Sequence, residues 1–299
     1  MPAQTKVEER ISDESISSSD CRYRGRMKVL SSSLAAVVPF ALVAMTAACG
    51  NAPTPSAPSA PNPAHVPAAP ATAPDATSVV DAADRSADDR ALDAGRKPKE
   101  LLAFLGVTRG MKVGEIAAGT GYTTELLARA VGPEGKVYAE NNRFVVEKFA
   151  DKPWAARLAK PVNANVVRVD RELDAPFPPE VKDLDVVVDV LFYHDTVWMK
   201  TDRAAMNRAI FAALKPGGAY VIVDHSGRAG TGTTETDTLH RIEEKVVRDE
   251  VLAAGFVFER EGTFLKNDKD SRDWNASPRA AADKRGTSDR FVLRFTKPR

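Results

Sequence analysis

Cysteine is almost absent from this chain of 299 residues. The two that occur, Cys21 and Cys49, both stand in the N-terminal sixth, and none is found from Ala91 onward. This absence excludes a disulfide framework, a cysteine nucleophile and a thiolate metal site from the larger C-terminal part. Any catalysis there must come from carboxylates, histidines, hydroxyl groups or a bound cofactor.

An excess of charge of one sign is also lacking, because 42 Lys and Arg residues face 41 Asp and Glu residues, a net charge of +1. Nucleic-acid binding depends on a concentrated basic surface. The sequence therefore gives no electrostatic case for nucleic acid as a partner.

The apolar run from Leu34 to Ala48 is too short for a typical membrane-spanning helix. A bilayer span needs about twenty apolar residues, whereas the core of a signal peptide needs roughly seven to fifteen. The run follows a basic segment, 22–28, and ends at Cys49 in a sequence that resembles a bacterial lipobox, with Thr46 where an aliphatic residue is usual. We therefore predict a signal peptide at 27–49 and an exported, lipid-anchored membrane protein facing the periplasm.

Other interpretations of the N-terminal part stay open. The run could be a plain signal or anchor, or an apolar stretch in a cytoplasmic protein. Residues 1–26 are polar and are a disordered extension or a misassigned start, since Met27 is the better first residue. Residues 50–90 are rich in Pro and Ala, cannot bury a core and are predicted to be a disordered linker. The folded domain is predicted at 91–299.

Strand and helix patterns alternate through this domain. The run DLDVVVDVLFY is almost continuously apolar, as expected for a central strand covered on both faces. The alternation predicts an α/β fold with a doubly wound, mostly parallel seven-stranded sheet. GFVFEREGTFL and SDRFVLRFTK have no helix between them and predict an antiparallel C-terminal strand pair. The stretch TLHRIEEKVVRDEVLAAG predicts one amphipathic helix, with Leu239, Ile242, Val246 and Leu252 on its apolar face.

The stretch EIAAGTG joins a predicted strand to a predicted helix. Its glycines let a ligand approach the backbone closely, and the N–H groups that open the helix favour an anionic group. The dinucleotide fingerprint needs Gly or Ala three residues after its second Gly, where this chain has Thr124. An oxidoreductase with a nicotinamide cofactor is therefore a disfavoured alternative.

With an acid at its start, the stretch Glu115 to Gly121 resembles the first motif of class I S-adenosylmethionine-dependent methyltransferases, with Ala117 replacing the usual first glycine. LKPGG at 214–218 is a second landmark of that superfamily. DAGRKPKELLAFLG, YHD and LHRIEEKVVRDEVLAAGF resemble a bacterial subgroup of predicted methyltransferases. The resemblance covers 91–299. It implies S-adenosyl-L-methionine as cofactor and an enzyme that methylates an unidentified, small-molecule acceptor.

The resemblance also implies which residues contact the cofactor. Gly119 and Gly121 would face its methionine part, and Glu115 would organise the loop and the amino end of the methionine. Glu140 would accept hydrogen bonds from the ribose hydroxyls, although the family's acid more often stands one position later. The implied set is Glu115, Ala117, Gly119, Thr120, Gly121, Tyr122, Glu140, Asn141 and Asp170, the last as an acceptor for the adenine amino group or as an exposed loop residue.

Tyr193, His194 and Asp195 form the candidate catalytic set, because they follow the fourth strand, where open α/β sheets place ligands. The ordinary pKa of histidine suits His194 to deprotonating an acceptor near neutral pH, whereas a hydrogen-bonded loop histidine without chemistry is the alternative. Asp224 and His225 end the fifth strand. With Asp195 they could bind a divalent cation, as in catechol-type methyltransferases, but the sequence gives no distances and we assign no metal ligand.

Two further points stay open. His240 is predicted to have a capping or surface role, and the polar insertion 266–288 could cover the site. The alternative function is an exported binding module that kept the methyltransferase fold and lost catalysis. Oligomeric state is not predicted.

Overall fold

The computed structural model describes residues 75–299. The predicted signal peptide at 27–49, the extension at 1–26 and residues 50–74 of the predicted linker lie outside the described residues. Within 75–299, no helix combines the length and the apolar character needed to cross a membrane.

Ten α-helices and seven strands make up the described part of the chain. The helices are α1 (Ala76–Val80), α2 (Ala87–Arg96), α3 (Pro98–Leu105), α4 (Tyr122–Val131), α5 (Arg143–Val145), α6 (Asp151–Leu158), α7 (Asp195–Trp198), α8 (Arg203–Ala213), α9 (Thr236–Leu239) and α10 (Glu244–Ala253). The strands are β1 (Lys112–Ile116), β2 (Lys136–Asn141), β3 (Val166–Asp170), β4 (Leu184–Val190), β5 (Leu214–His225), β6 (Val257–Gly262) and β7 (Arg290–Thr296). A π-helical segment, Val146–Ala150, joins α5 to α6.

The seven strands form one sheet in the order β3-β2-β1-β4-β5-β7-β6. The first five are parallel, while β7 lies between β5 and β6 and is antiparallel to both. The predicted doubly wound sheet with an antiparallel C-terminal pair, the Rossmann-like methyltransferase fold, is confirmed.

Two hydrophobic cores lie on opposite faces of this sheet. Side chains of α1, α3, α4 and α6 cover one face, and side chains of α8 and α10 cover the other. Val188 of β4 belongs to the first core and its neighbour Val187 to the second. Because successive strand residues point to opposite faces, a strand covered on both sides is apolar throughout, which is why the run in β4 is continuous.

The folded part begins before residue 91. The stretch 76–90, assigned to the linker from its composition, forms α1 and the start of α2. Val79 and Val80 are buried in the first core. The buried Arg85 side chain donates two hydrogen bonds of 2.7 Å to Asp93. Two adjacent valines in a charged stretch do not show the spacing of an amphipathic helix, so the sequence pattern does not predict α1. In the structure these valines pack α1 against the first core.

The predicted helix at 238–255 is wrong in its first part. His240 adopts a left-handed conformation with φ 49°, which ends α9. Ile242 then pairs with Ser226 as an isolated bridge, and α10 begins only at Glu244. As a result Val247 is buried in the core, whereas Leu252 is exposed.

Candidate functional site

The Gly turn between β1 and α4 is built from left-handed residues. Ala117, Gly119 and Gly121 have φ values of 48°, 58° and 83°. A non-glycine residue in this region costs roughly 1–2 kcal/mol, so Ala117 is strained where the related motif has glycine. The strain is held by β2, because the Ala117 amide donates to Glu140 Oε2 at 2.9 Å and the Ala118 amide donates to the Glu140 carbonyl at 2.8 Å.

Asn141 supports the same turn from below. Its Oδ1 accepts from the Gly119 amide at 2.8 Å, and its Nδ2 donates to the Gly119 carbonyl at 3.1 Å. Both ends of the Asn141 amide are thus occupied by the loop. In this conformation the residue positions Gly119 rather than presenting hydrogen-bonding groups to a ligand.

The two glycines of the turn have different surroundings. A Cβ atom at Gly119 would meet nothing nearer than the Ala117 carbonyl at 3.9 Å. A Cβ atom at Gly121 would lie 2.6 Å from Trp154 Cζ3 and 2.8 Å from Arg157 Cγ. Gly119 therefore presents an open backbone to a ligand, whereas the side-chain direction of Gly121 is filled by the protein itself.

Three carboxyl groups near the carboxyl ends of β1, β2 and β4 are buried: Glu115, Glu140 and Asp189. Glu115 Oε2 accepts from the Thr124 hydroxyl at 2.5 Å, and burial raises the pKa of Glu115 to about 8. Burial also raises the pKa of Glu140 and of Asp189 well above the ordinary values, and the charge of each neighbouring acid adds to the effect.

Glu140 and Asp189 carry buried oxygen atoms without partners. Glu140 Oε1 and both side-chain oxygens of Asp189 have no hydrogen-bond partner among the described residues. Buried polar atoms are nearly always paired, so orphaned acceptors at a strand end point to a ligand that donates hydrogen bonds. Asp189 is not among the site residues predicted from the sequence, although an acid late in the apolar run of β4 is a signal that could have indicated it.

Arg96 is a second residue that sequence reasoning missed. Its guanidinium stacks on the Tyr122 ring, 4.6 Å from the centroid, and makes no ion pair within residues 75–299. Arg96 and Arg290 line a narrow cleft of about 10 Å³ at the start of α4, beside Thr123. Burial lowers the pKa of Arg290 to about 10. A larger cavity, of about 450 Å³, lies at the opposite, amino-terminal edge of the sheet beside Lys136.

Thr120 and Tyr122, two other residues of the implied set, are engaged by neighbouring helices. The Thr120 carbonyl accepts from Arg157 Nε at 3.0 Å, and the Tyr122 hydroxyl donates to Asp93 at 2.7 Å. Both contacts fix the turn to the protein rather than to a ligand.

Two residues from the sequence-based set lie away from this centre. The Asp170 side chain is half exposed and accepts from Arg168 Nε at 2.8 Å. The Tyr193 side chain is buried in the second core, where its hydroxyl donates to Glu250 at 2.8 Å and accepts from Asn207 at 2.8 Å. Tyr193 thus points away from its neighbours His194 and Asp195.

His194 lies at the centre of a polar cluster between the ends of β4 and β5. Its backbone N–H and its Nδ1 each contact the Asp224 carboxylate at 2.7 Å. Its Nε2 lies 3.2 Å from Asp195 Oδ1 and 3.2 Å from His240 Nδ1. Burial opposes the charge, but the carboxylates of Asp224 and Asp195 raise the pKa of His194 to about 10. A histidine with this pKa is protonated at neutral pH, so as it stands it is a poor general base.

His240 enters this cluster through the fold alone, 46 residues after His194. The sequence predicts a capping or surface role for His240, because no local spacing links it to His194. Asp195, His194 and His240 offer potential metal-ligand atoms that all lie within 4.8 Å of one another. The cation set considered from sequence is not assembled in the same way: Asp224 is occupied by backbone and imidazole donors, and His225 Nδ1 contacts Ser288 at 2.7 Å.

Aromatic side chains flank the cluster on its open side. Trp198 Nε1 donates to Asp195 Oδ1 at 2.7 Å, and its ring lies 5.6 Å from Phe144. Phe144 also packs against Phe149, which is 59% exposed. This aromatic surface provides an apolar wall beside the polar cluster.

No family model matches the chain. It is similar to the ubiquinone/menaquinone biosynthesis C-methyltransferase UbiE of Idiomarina loihiensis, with 35% identity over 122 residues, 40% of this chain and 45% of that protein. The same enzyme of Pasteurella multocida is 32% identical over 122 residues, 40% of this chain and 42% of that protein. The chain thus spans less than half the length of these relatives. A SAM-dependent methyltransferase structure from Aquifex aeolicus aligns with a TM-score of 0.49 and 18% identity, over 70% of this chain and 96% of that one.

Proposed function

We propose that the chain is an S-adenosylmethionine-dependent methyltransferase that acts on a small-molecule acceptor. The Rossmann-like methyltransferase fold and the methyltransferase relatives over 40% of the chain support this assignment. The observation that carries it is local: the open backbone of Gly119 lies in the turn that contacts the buried Glu140, whose Oε1 has no partner among residues 75–299.

The charges of the site fit this cofactor better than a dinucleotide. S-adenosylmethionine has a sulfonium and an ammonium group, which favour ionisation of the buried Glu115, Glu140 and Asp189, whereas the pyrophosphate of a dinucleotide would oppose it. The free Glu140 Oε1 can accept from a ribose hydroxyl. Arg96, the last residue of α2, lies beside the start of α4. It can bind the methionine carboxylate together with the N–H groups that open α4.

The bound cofactor would supply an electrophilic methyl group. The protein then has to hold the acceptor in line with it and exclude water, which is the main source of rate for a displacement from a good leaving group. The cluster around His194 and the wall formed by Phe144 and Trp198 lie beyond the carboxyl ends of β4 and β5, next to Asp189. We place the acceptor there and infer that it has an apolar or aromatic part.

A second function, an exported binding module without catalysis, is favoured by two observations. The cleft beside Arg96 has room for about one water molecule, so Arg96 has to move before a methionine tail can enter. The strained Ala117 in place of glycine adds to this alternative. It predicts that the chain binds no S-adenosylmethionine.

Calorimetric titration of the purified chain tests the assignment. We expect micromolar binding of S-adenosylmethionine and of its demethylated product, and no binding of NAD. Loss of a hydrogen bond to a charged group costs about 1.5–3 kcal/mol, so Arg96→Gln should weaken the affinity about 10- to 100-fold. Arg90→Gln, on the same helix, serves as control and should leave the affinity unchanged. Binding of NAD alone would refute the proposal, and no heat with any ligand would favour the binding module.

We propose further that the chain is exported and anchored in the membrane through Cys49. The support is the sequence of 27–49 alone, which lies outside the described residues. Fractionation of cells expressing Cys49→Ala should show the chain lost from the membrane fraction. An unchanged membrane fraction would exclude lipidation as the anchor.

A further inference from the structure

We propose that His194, Asp195 and His240 bind one divalent transition-metal ion, of the class of Zn²⁺, with a coordination position left open. Binding of the ion is independent of the proposed methyltransferase function. A role for it in holding the acceptor rests on that function.

The geometry of the three ligand atoms supports a metal. His194 Nε2, His240 Nδ1 and Asp195 Oδ1 form a triangle whose three edges are each 3.2 Å. Bonds of about 2.0–2.1 Å at tetrahedral angles, as around Zn²⁺, hold two ligand atoms about 3.3 Å apart. The hydrogen bonds that surround the triangle are shorter: His194 Nδ1 to Asp224 and Trp198 Nε1 to Asp195 both measure 2.7 Å. The three edges lie at the long end of the hydrogen-bond range and also match the spacing of a metal-ligand set.

The surroundings of the triangle are those of a supported metal site. Asp224 binds His194 Nδ1, and the backbone N–H groups of His194 and His225 fix the Asp224 carboxylate in turn. Binding of an ion would displace the Nε2 proton of His194 and leave the hydrogen on Nδ1, held by Asp224, as in carboxylate–histidine–metal triads. Trp198 uses one lone pair of Asp195 Oδ1, and an ion would take the other in place of the imidazole contacts of 3.2 Å.

The backbone of His240 adds an independent observation. It is a non-glycine residue with φ 49°, a conformation that costs about 1–3 kcal/mol and is common at functional sites. The strain turns the imidazole towards His194, with ring centroids 5.3 Å apart and a 76° tilt between the rings. Two imidazoles therefore approach the triangle from different directions.

The donor set and its accessibility indicate the kind of ion. Two imidazoles and one carboxylate suit Zn²⁺, Co²⁺ or Fe²⁺, whereas Mg²⁺ and Ca²⁺ prefer oxygen ligands. Three protein ligands leave a fourth position for water or a substrate atom, which is typical of catalytic rather than structural sites. The His240 side chain is 26% exposed, against 3% for His194, so solvent reaches the triangle from the side of His240. An oxygen or sulfur group of the acceptor is the ligand that we assign to this position.

The test is metal binding by the full chain after treatment with a chelator. We expect one Zn²⁺ or Co²⁺ per chain, no saturable binding of Mg²⁺, and a visible Co²⁺ absorption spectrum of a nitrogen- and oxygen-ligated tetrahedral site. His240→Ala and Asp195→Asn should each lower the affinity for Zn²⁺ by at least about 100-fold, since outer-shell changes alone cost about 10- to 100-fold.

His225→Gln is the matched control, because His225 belongs to the same cluster but binds Ser288 instead. It should keep the one-to-one stoichiometry and the Co²⁺ spectrum. Circular dichroism of each variant separates loss of a ligand from loss of the fold. Less than one ion per several chains, or equal affinity in wild type and His240→Ala, would overturn the proposal and leave an ion-pair cluster. S-adenosylmethionine binding by the metal-free chain is measured separately, so failure of the metal site and failure of the methyltransferase assignment are distinguishable.

Discussion

Replacing Gly121 by alanine is expected to destabilise the fold by about 2–5 kcal/mol, whereas the same change at Gly119 should cost only about 1–2 kcal/mol. Both residues have positive φ, 83° and 58°, so both variants suffer the left-handed penalty. Only at Gly121 does the new methyl group also meet Trp154 at 2.6 Å and Arg157 at 2.8 Å. Trp154 is fully buried and cannot withdraw without opening the first core.

Urea unfolding followed by circular dichroism measures the two free energies, and cofactor titration of the folded variants adds a second readout. Gly119→Ala should lose affinity for S-adenosylmethionine although it stays folded, because its methyl group occupies the open side of the turn. The folded fraction of Gly121→Ala should keep its affinity. Equal destabilisation by both changes would contradict the packing described for Gly121.

The contrast between the glycines reflects how the turn is held. Arg157 of α6 donates to the Thr120 carbonyl at 3.0 Å, and its Nη2 reaches Asp89 of α2 at 2.8 Å. Arg157 Nη1 also contacts the buried Glu125 at 2.6 Å. The helix α2, which begins in the stretch assigned to a linker from composition, is therefore part of the support of the Gly turn.

The sheet could be predicted from the sequence because its signals are local. The apolar run of β4 specifies a strand covered on both faces, and the alternation in the last two segments specifies two strands, although not their burial, since β7 is almost wholly buried and β6 is mostly exposed. The Gly turn is equally local, since positive φ at Gly119 and Gly121 calls for glycine.

The composition of the site could not be predicted to the same extent, because it depends on contacts between distant segments. Tyr193 and His194 are adjacent in sequence, yet Tyr193 packs in the second core while His194 reaches Asp224 and His240. His240 is itself the left-handed residue that separates α9 from α10, where the sequence pattern predicts one continuous helix. Asp189 is visible in the sequence as an acid late in the apolar run of β4, but only the structure shows that its buried oxygens have no partner among the described residues.

Replacing Glu115 by glutamine is expected to make the protein more stable than the wild type at pH 8, with the difference disappearing towards pH 5. The folded state holds the Glu115 carboxyl in a site that raises its pKa from 4.5 to about 8, because burial disfavours the charged form. Below pH 4.5 the group is protonated in both the folded and the unfolded state and contributes no pH dependence.

Between pH 4.5 and 8 the unfolded chain loses this proton while the folded chain keeps it. The free energy of unfolding therefore falls as pH rises, by about 1.4 kcal/mol per pH unit, and levels off above pH 8, where both states are ionised. Glutamine is neutral at every pH, and its carbonyl oxygen can still accept from Thr124. The variant should thus gain about 3–5 kcal/mol over the wild type between pH 5 and pH 8.

Urea unfolding of both proteins at half-unit pH intervals measures this difference, with Glu100→Gln on the exposed face of α3 as the control for a lost surface charge. The control should follow the wild-type profile. Parallel profiles for Glu115→Gln and the wild type would show that the Glu115 carboxyl is ionised in the folded protein. The negative charge would then be present before a sulfonium or ammonium group binds, and cofactor binding would release no proton from Glu115. With the raised pKa, binding of a cationic ligand beside Glu115 at pH 7 should instead release a proton, because the ligand stabilises the ionised form.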